Sequence, residues 1–341
     1  SLAQARRRSA NLVVLPPHHD LYHDYSRRAL AIYRRFTPVY ESFGLDECWL
    51  DLTSQLPEPC LSDSAPWRET AAAAAAAVHR AIADELGLTV SVGCSWNKVF
   101  AKFGSDYRKP DATTIIDRGT YQDIVWSAPV SSLLFAGPRA AERLADIGIL
   151  TIGQLARTGL DTLEQLLGRQ GRQLGTFARG EDTSPVVPPE EQDLPRQVGR
   201  SRTYARDLTS LAAAEPHLDA LSRQVWVDIQ DTGLLAYTLQ VTTRDNQFNT
   251  SSRQRKQAAA FRSELEVTQL ARELLVEHWP GEPPLRLLGV TLTDLIEADK
   301  ETGTQLSFSD IAAQDPRQEE LERLIVDLQE RYGDDVIHRG R

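Results

Sequence analysis

The sequence is poor in the residues that cross-link a protein through disulfides or zinc. Three cysteines, Cys48, Cys60 and Cys94, occur among 341 residues, and no two of them form a CxxC pair. This odd, widely spaced set argues against a disulfide scaffold and a zinc knuckle and favours a reducing compartment, so we expect a cytoplasmic protein. Methionine is absent, and we have no physical account of its absence.

Long apolar runs are missing as well. The longest apolar stretch of this kind, residues 71–78, is alanine-rich. It is much shorter than the roughly 18 residues of a membrane span. The arginine-rich start lacks the apolar block of a signal peptide. We therefore expect no membrane partner. Because the chain begins with Ser1 inside what reads as a helix of a larger domain, we also expect it to be a fragment.

Three histidines, His18, His19 and His23, stand close together with no cysteine or further histidine nearby. Structural zinc sites usually combine about four Cys or His ligands. We therefore favour a polar loop entering a helix over a metal cluster at this place.

The charge balance is acidic, with 38 Lys/Arg against 48 Asp/Glu and a net charge of −10. Its distribution is uneven: residues 294–341 hold 6 basic and 13 acidic side chains (−7), residues 1–35 hold 7 and 2 (+5), and residues 196–256 hold 9 and 6 (+3). Screening confines such fields to about 8–10 Å, so a basic groove can coexist with an acidic tail. Taken alone, the charge distribution favours ordinary solvated surfaces over a nucleic-acid-binding groove.

Apolar periodicity divides the first part of the chain into an α+β region and a helical region. Residues 1–17 read as the end of a basic helix and a short strand at 12–15. Residues 18–117 contain a helix, a hairpin around an acidic pair, and further helices and strands, which predicts an antiparallel sheet backed by helices. Between 118 and 188 the β-branched runs disappear, and we expect short helices with glycine-marked turns.

The remainder of the chain reads as a linker, a second α+β region and a tail. Residues 189–197 are proline-rich and acidic, which is a linker composition. Residues 198–296 predict the order strand–helix–strand–strand–helix–strand. Residues 297–341 form an acidic tail that ends in an amphipathic helix at 321–332. The fold class expected from this pattern is multidomain α+β.

The first chemical signal is the hairpin ESFGLDECWLD at residues 41–51. Its neighbouring carboxylates, Asp46 and Glu47, are costly to bury unless a cation neutralises them. One interpretation is a Mg²⁺ site for phosphoryl transfer, where two ions about 3.5–4 Å apart hold the attacking and leaving oxygens. The other is an acidic turn exposed to water, and a bare Asp-Glu pair favours it.

The second signal is the run SVGCSWNKVFAKFGSDYRKPD at residues 91–111. Lys98 and Lys102 are four apart and share one helix face. Lys109 precedes a proline, which favours an extended loop from which a lysine can reach a polyphosphate. Taken singly, each lysine reads as a solvated surface charge.

In order and spacing, these two segments strongly resemble the palm domain of Y-family (DinB/UmuC-like) translesion DNA polymerases, and the similarity runs through nearly the whole chain. The resemblance implies a DNA-directed DNA polymerase for damage bypass, with two Mg²⁺ ions per active site and with primer-template DNA and deoxynucleoside triphosphates as substrates. It implies that Asp46 and Glu47 are catalytic metal ligands, Glu47 for the ion near the primer 3′-OH, and that Lys109 contacts the triphosphate. Asp51 is expected to support the hairpin. The matching positions without an assigned role are Ser42, Lys98, Lys102, Ser105 and Asp106.

The resemblance also implies the domain assignment. Residues 18–117 correspond to the palm, 118–188 to a helix–hairpin–helix thumb and 198–296 to the little finger, with 1–17 as a remnant of the fingers. The family's first strand, which carries another metal-binding Asp and an aromatic residue, does not occur in this sequence, nor do the fingers Tyr and Arg. We therefore expect that this chain alone cannot polymerise.

Three further segments resemble contact sites of the family. In the thumb, only Gly137 remains of the usual Pro-Gly-x-Gly hairpin, whose backbone N–H groups contact a DNA phosphate. Gln305, Leu306 and Phe308 resemble, one residue short, a peptide that binds the sliding clamp. In the little finger, arginines alternate along two strands and would follow a phosphate backbone; an edge strand that deters aggregation is the alternative. The arginines assigned to DNA are Arg200, Arg202, Arg206, Arg253 and Arg255.

A non-catalytic paralogue that binds DNA or the clamp is the alternative function. The missing first strand is what would support it, and an in-frame upstream Asp-x-Asp segment would decide for the enzyme.

Overall fold

A computed structural model describes residues 2–9, 11–55 and 65–298. The chain divides into two compact units, Ser1–Gln192 and Asp193–Arg341. Their boundary falls inside the stretch 189–197 that the composition marks as a linker. None of the helices in these described ranges has the length and apolar character that crossing a membrane requires.

The first unit begins with two helices and a hairpin. Helices α2 and α3 pack through the buried side chains of Ile32, Val78 and Ile82. The strands β1 and β2 pair antiparallel, so that Phe43 lies opposite Glu47 at the turn. The elements are α1 (Leu2–Arg8), α2 (His19–Tyr33), β1 (Tyr40–Phe43), β2 (Glu47–Leu50) and α3 (Ala65–Leu86).

The prediction of a strand at residues 12–15 is wrong. The structure gives these residues no regular structure, and Val13 and Leu15 are 79% and 78% exposed. A strand forms only where another strand supplies its hydrogen bonds, and no strand pairs with this segment within the described ranges. An apolar run is therefore not enough to predict a strand here.

The next three elements form a compact strand–helix–strand group: β3 (Val92–Cys94), α4 (Lys98–Tyr107) and β4 (Thr113–Ile115). β3 and β4 pair in parallel, so the expectation of antiparallel pairing throughout residues 18–117 is wrong at this pair. Because the chain crosses over through α4, it returns to pair in the same direction.

Gly93 lets β3 approach α4 closely. A Cβ atom at this position would lie 1.9 Å from the carbonyl oxygen of Ala101 and 2.4 Å from the backbone nitrogen of Ser105. Such distances exclude any side chain. Asn97 caps the helix, since its Oδ1 accepts from the N–H of Phe100 at 2.8 Å. These two residues fix the position of the lysines on α4.

The rest of the first unit contains helices and turns within the part that the structure describes. Thr151 and Gln154 form a capping box at the start of α7, which is a strong local signal for a helix N-terminus. Phe100 and Phe103 of α4 belong to the same hydrophobic core as these helices. The helices are α5 (Tyr121–Val125), α6 (Pro138–Asp146), α7 (Ile152–Arg157), α8 (Leu160–Leu167) and α9 (Arg169–Ala178).

The second unit is an antiparallel sheet whose strands lie in the order β5-β8-β6-β7. Two long helices contribute to its core, through Leu218 and Val225 of the first and Leu270 and Leu274 of the second. The predicted order strand–helix–strand–strand–helix–strand is confirmed, as is the multidomain α+β class. The elements are β5 (Gln197–Leu208), α10 (Leu211–Thr232), β6 (Leu234–Asp245), β7 (Thr250–Lys256), α11 (Glu264–His278) and β8 (Leu285–Glu297).

Candidate active site

The acidic pair stands at the tip of the β1–β2 hairpin. Gly44 takes a φ of 79° in the turn, a conformation that glycine adopts without a steric penalty. Asp46 is exposed at the tip. Glu47 begins β2, and its side chain is 29% exposed. The hairpin therefore presents two adjacent carboxylates, one open to solvent and one partly covered.

The lysine-bearing segment lies at this same tip. Lys102, on α4, places its Nζ 2.7 Å from Oε1 of Glu47 and 2.7 Å from Oδ2 of Asp106. Lys109 follows the helix, and its Nζ lies 2.6 Å from Oδ1 of Asp106 and 4.0 Å from Oε1 of Glu47. Asp106 thus bridges two lysines, and both ammonium groups flank the same glutamate.

Mutual hydrogen bonding shifts the ionisation of this group. Burial alone would lower the pKa of Lys102, but the hydrogen bonds to Asp106 and Glu47 outweigh it and raise that pKa. Burial alone would raise the pKa of Asp106, but hydrogen bonds from Lys102 and Lys109 outweigh it and hold the pKa below its ordinary value. Lys102 and Asp106 are consequently charged at neutral pH.

The donor chemistry at the tip fits part of a magnesium site. Carboxylate oxygens are the ligands that Mg²⁺ prefers, and Asp46 and Glu47 supply them. In the described part of the chain, no group of three or more His, Cys, Asp or Glu side chains could hold a metal ion. Two carboxylates are therefore what the described residues offer, and Lys102 now neutralises one of them.

Lys98 serves a different partner from Lys102, although both lie on one face of α4. Its Nζ lies 2.5 Å from Oε2 of Glu41 and 4.6 Å from the centroid of the Trp49 ring. Trp49 returns the contact by donating its Nε1–H to the backbone oxygen of Lys98 at 3.0 Å. The sequence placed Glu41 in the motif without a role, and the structure pairs it with Lys98.

The other motif residues lie in local structural contacts. Ser105 donates its hydroxyl to the backbone oxygen of Lys102 at 2.8 Å. Ser42 lies opposite Cys48 in the hairpin. Asp51 accepts the N–H of Thr53 at 2.8 Å, just after β2 ends.

In the segment that the resemblance assigns to the thumb, Gly137 is the N-cap of α6 with a φ of −64°. A Cβ atom there would meet nothing within 4 Å, so the fold does not require glycine at this position. The positive φ of the turn falls instead on Phe135, at 66°. The turn is therefore built differently from the glycine hairpin that the resemblance implies.

The alternation of β5 does place Arg200, Arg202 and Tyr204 on one face. That face is the one that turns toward the helices: Tyr204 is 8% exposed within the core, whereas Arg200 and Arg202 remain exposed. Arg200 donates from Nε and Nη2 to Asp228 of α10 at 2.5 and 2.8 Å. Arg200 is therefore already paired with a carboxylate, although 56% of its side chain is exposed.

Arg255, on β7, is held in the same manner. Its guanidinium lies 2.8 Å from Glu273 and 2.5 Å from Glu277, both on α11. The aromatic Tyr204 within the basic strand was the signal that could have identified the face that turns toward the helices. Arg206 and Arg253 are exposed, and a DNA contact by any of the five arginines stays a prediction.

The predicted clamp-binding peptide and the histidine trio lie away from the hairpin tip in sequence. The clamp-binding residues Gln305, Leu306 and Phe308 and the acidic tail lie outside the described residues. Near the histidine trio, the ring of His19 meets that of Tyr22 edge to face at 5.7 Å between centroids.

Comparison with known proteins assigns the chain. Residues 1–106 match the impB/mucB/samB family, and residues 195–308 match the C-terminal domain of that family. The DNA polymerase IV of Acetivibrio thermocellus is 35% identical over 337 residues, which cover 99% of this chain and 82% of that protein. The DNA polymerase IV of Moorella thermoacetica is 33% identical, over 100% of this chain and 81% of that protein.

Solved structures agree on the fold. A Y-family DNA polymerase chimera superposes with a TM-score of 0.74 at 20% identity, over 86% of this chain and 82% of that one. DinB from Sulfolobus solfataricus gives a TM-score of 0.51 at 19% identity, over 86% and 82%. Given relatives of this identity along nearly the whole length, the chain belongs to the impB/mucB/samB family, the DinB-type Y-family of DNA-directed DNA polymerases.

Proposed function

We propose that the tip of the β1–β2 hairpin is part of the nucleotidyl-transfer site of a translesion DNA polymerase. The observation that carries the proposal is the position of Lys102 and Lys109, both of which flank Glu47. A carboxylate pair with two ammonium groups beside it is suited to a bound metal–triphosphate, whose cation and anion find opposite charges side by side. The substrates are primer-template DNA and deoxynucleoside triphosphates.

The residues of the tip divide the work. Asp46 and Glu47 would hold Mg²⁺, with Glu47 serving the ion near the primer 3′-OH. When bound, the metal ions supply charge neutralisation at the attacking and leaving oxygens. Lys109 binds the triphosphate, since it is the more exposed lysine, at 49% against 16% for Lys102. Lys102 orients the carboxylate of Glu47, and Asp106 spaces the two lysines.

Activity requires more of the site than the described residues hold. The family that the sequence resembles has a further metal-binding Asp on its first strand, and we propose that this ligand comes from an upstream strand. On this basis the chain alone does not extend primers. Its palm, thumb and little finger, as assigned above, bind DNA. Residues 305–308 bind the sliding clamp. The protein acts in the cytoplasm.

The intact charge cluster argues against the non-catalytic paralogue. DNA binding alone does not require a glutamate held between two lysines at a hairpin tip, whereas nucleotidyl transfer makes use of both charges. Nothing in the described structure specifically favours that alternative.

The test uses the protein extended by its upstream strand. Glu47→Gln and Asp46→Asn should each lower primer extension at least about 100-fold, while binding of primer-template DNA stays within about twofold. Asp51→Asn is the matched control, because it changes a carboxylate of the same hairpin whose contact to Thr53 an amide oxygen can keep. Extension within a few-fold of the parent in Glu47→Gln would refute the proposed site.

A further inference from the structure

Glu41 and Lys98 form an ion pair that the proposed reaction does not use. Their side chains are 20% and 14% exposed, and the distance between Nζ and Oε2 is 2.5 Å. Lys98 stands one helical turn before Lys102 on α4, yet its ammonium group pairs with Glu41 and not with Asp46 or Glu47. A mostly buried pair of this kind is costly to form and calls for further partners.

Those partners are backbone groups of the segment that leaves α9. The N–H of Val187 donates to Oε2 of Glu41 at 2.8 Å. The Nζ of Lys98 donates to the carbonyl oxygen of Pro185 at 3.2 Å. The pair therefore joins β1, α4 and a chain segment that is distant from both in sequence.

A second attachment lies just upstream on the same segment. The carbonyl oxygen of Gly180 accepts from Trp96 Nε1 at 3.1 Å and from Asn97 Nδ2 at 3.3 Å. Three consecutive residues, Trp96, Asn97 and Lys98, thus hold the segment 180–187 at two points. Both attachments lie within the first unit.

The position of this segment gives the contacts a consequence. The boundary between the two units follows Gln192, and β5 of the second unit begins at Gln197. With Val187 held, ten residue steps separate it from β5, a reach of at most about 35 Å. The short turn Pro189–Glu191, which follows Val187, lies against β1 as well. If the chain were held only at Gly180, seventeen steps would reach about 60 Å.

We propose that the Glu41–Lys98 pair is a latch on the connector between the units. It positions the start of the connector and thereby sets how far the second unit can move from the first. Release of the pair would lengthen the connector from ten to about seventeen residue steps. The effective concentration of the second unit falls roughly as the −3/2 power of connector length, so it should drop about twofold. Lys98 is thus a positioning residue, and Lys102 and Lys109 are left to serve the substrate.

Hydrogen–deuterium exchange of the full chain tests the latch. In Glu41→Ala, the amide of Val187 loses its acceptor and should exchange at least about tenfold faster. In Lys98→Met, the same amide should also exchange faster, because the ammonium group that joins Glu41 to the carbonyl oxygen of Pro185 is removed. Amides of Phe100 and Phe103, in the core of α4, should keep their protection. Glu41→Gln is a milder variant, to be used if the other two do not fold. It should accelerate amide exchange at Val187 as well, but by a smaller factor.

Lys102→Met is the matched control, since it removes a lysine of the same helix that is paired with a carboxylate of the same hairpin. It should leave exchange at residues 181–187 unchanged. Unaltered exchange of these residues in folded Lys98→Met, an equal acceleration in Lys102→Met, or a uniform acceleration throughout the first unit would each overturn the latch. Small-angle scattering should show a larger radius of gyration for Lys98→Met, and an unchanged profile would also count against it.

Discussion

Lys109 Nζ lies 4.0 Å from Glu47 Oε1, and Asp106 holds that lysine at 2.6 Å. The lysine therefore lies beside the glutamate. It is held by a carboxylate that a phosphate group can replace, since both offer oxygen acceptors to an ammonium group.

Lys109→Met, in the polymerase with its upstream strand, should raise the KM for the incoming nucleotide about 10- to 100-fold. The effect on kcat should be smaller, because the proposed contact of Lys109 with the triphosphate would be made in the ground state as well. Steady-state single-nucleotide incorporation measures both constants. Arg108→Met is the neighbouring control and should change the KM by less than about threefold. An equal effect of both variants would contradict the assignment.

Lys102→Met should destabilise the chain by about 1–3 kcal/mol, because it leaves Glu47 and Asp106 without the ammonium group that lies 2.7 Å from each. Mg²⁺ should restore part of the loss, since a cation at Glu47 replaces the missing charge. Thermal unfolding with and without Mg²⁺ measures this. Arg35→Met breaks the exposed pair with Glu85 and should cost less than about 1 kcal/mol without any response to Mg²⁺. A Lys102→Met protein that ignores Mg²⁺ would speak against a cation site at Glu47.

Much of the fold and part of the candidate site could be predicted from the sequence. The second unit has the predicted element order because its helices and strands are long and strongly periodic. The meeting of the acidic hairpin with the lysine segment was implied by the resemblance of the two motifs to the palm domain of Y-family polymerases. Local patterns of this kind report on neighbours in sequence and on faces of one element.

The rest depends on what each element packs against. Alternation showed that Arg200 and Tyr204 share a face of β5, but the position of α10 decides that this face turns toward the helices. The apolar run at 12–15 lacks a partner strand among the described residues, and the parallel pairing of β3 with β4 is set by the crossover through α4. The contact of Glu41 with Val187 joins residues with no shared local pattern.

Gly93→Ala should prevent stable folding of the first unit. Its Cβ would overlap the backbone of Ala101 at 1.9 Å, and backbone atoms of a packed helix cannot move aside cheaply. We expect a loss of more than about 4 kcal/mol, which circular dichroism during thermal unfolding would detect. Gly137→Ala is the control, because the space around it is open and its φ is ordinary; it should change stability by less than about 1 kcal/mol. Native-like unfolding of Gly93→Ala would show that the strand and helix do not approach this closely.

Asp117 should make the first unit sensitive to acid. Burial by itself raises the pKa of Asp117, but hydrogen bonds from Thr120 and the guanidinium of Arg68 outweigh it, so this pKa lies below its ordinary value. A carboxyl whose pKa is lower in the folded state stabilises the protein above about pH 4. That contribution is lost as the pH falls further through the folded-state pKa.

Denaturant unfolding at a series of pH values measures this effect. Asp117→Asn should be less stable than the parent near neutral pH, and the difference should shrink below about pH 4. A difference between the two proteins that stays constant from pH 7 to pH 3 would show that Asp117 does not contribute in its ionised form.

The central claim is that Glu47 and Lys109 act on one metal–nucleotide complex. A double-mutant cycle on single-nucleotide incorporation, with Glu47→Gln, Lys109→Met and the double variant in the polymerase with its upstream strand, tests it most directly. The account predicts that the two losses in kcat/KM are coupled by at least about 1 kcal/mol. Losses that add without coupling, or a Glu47→Gln enzyme with parental kcat/KM, would contradict it.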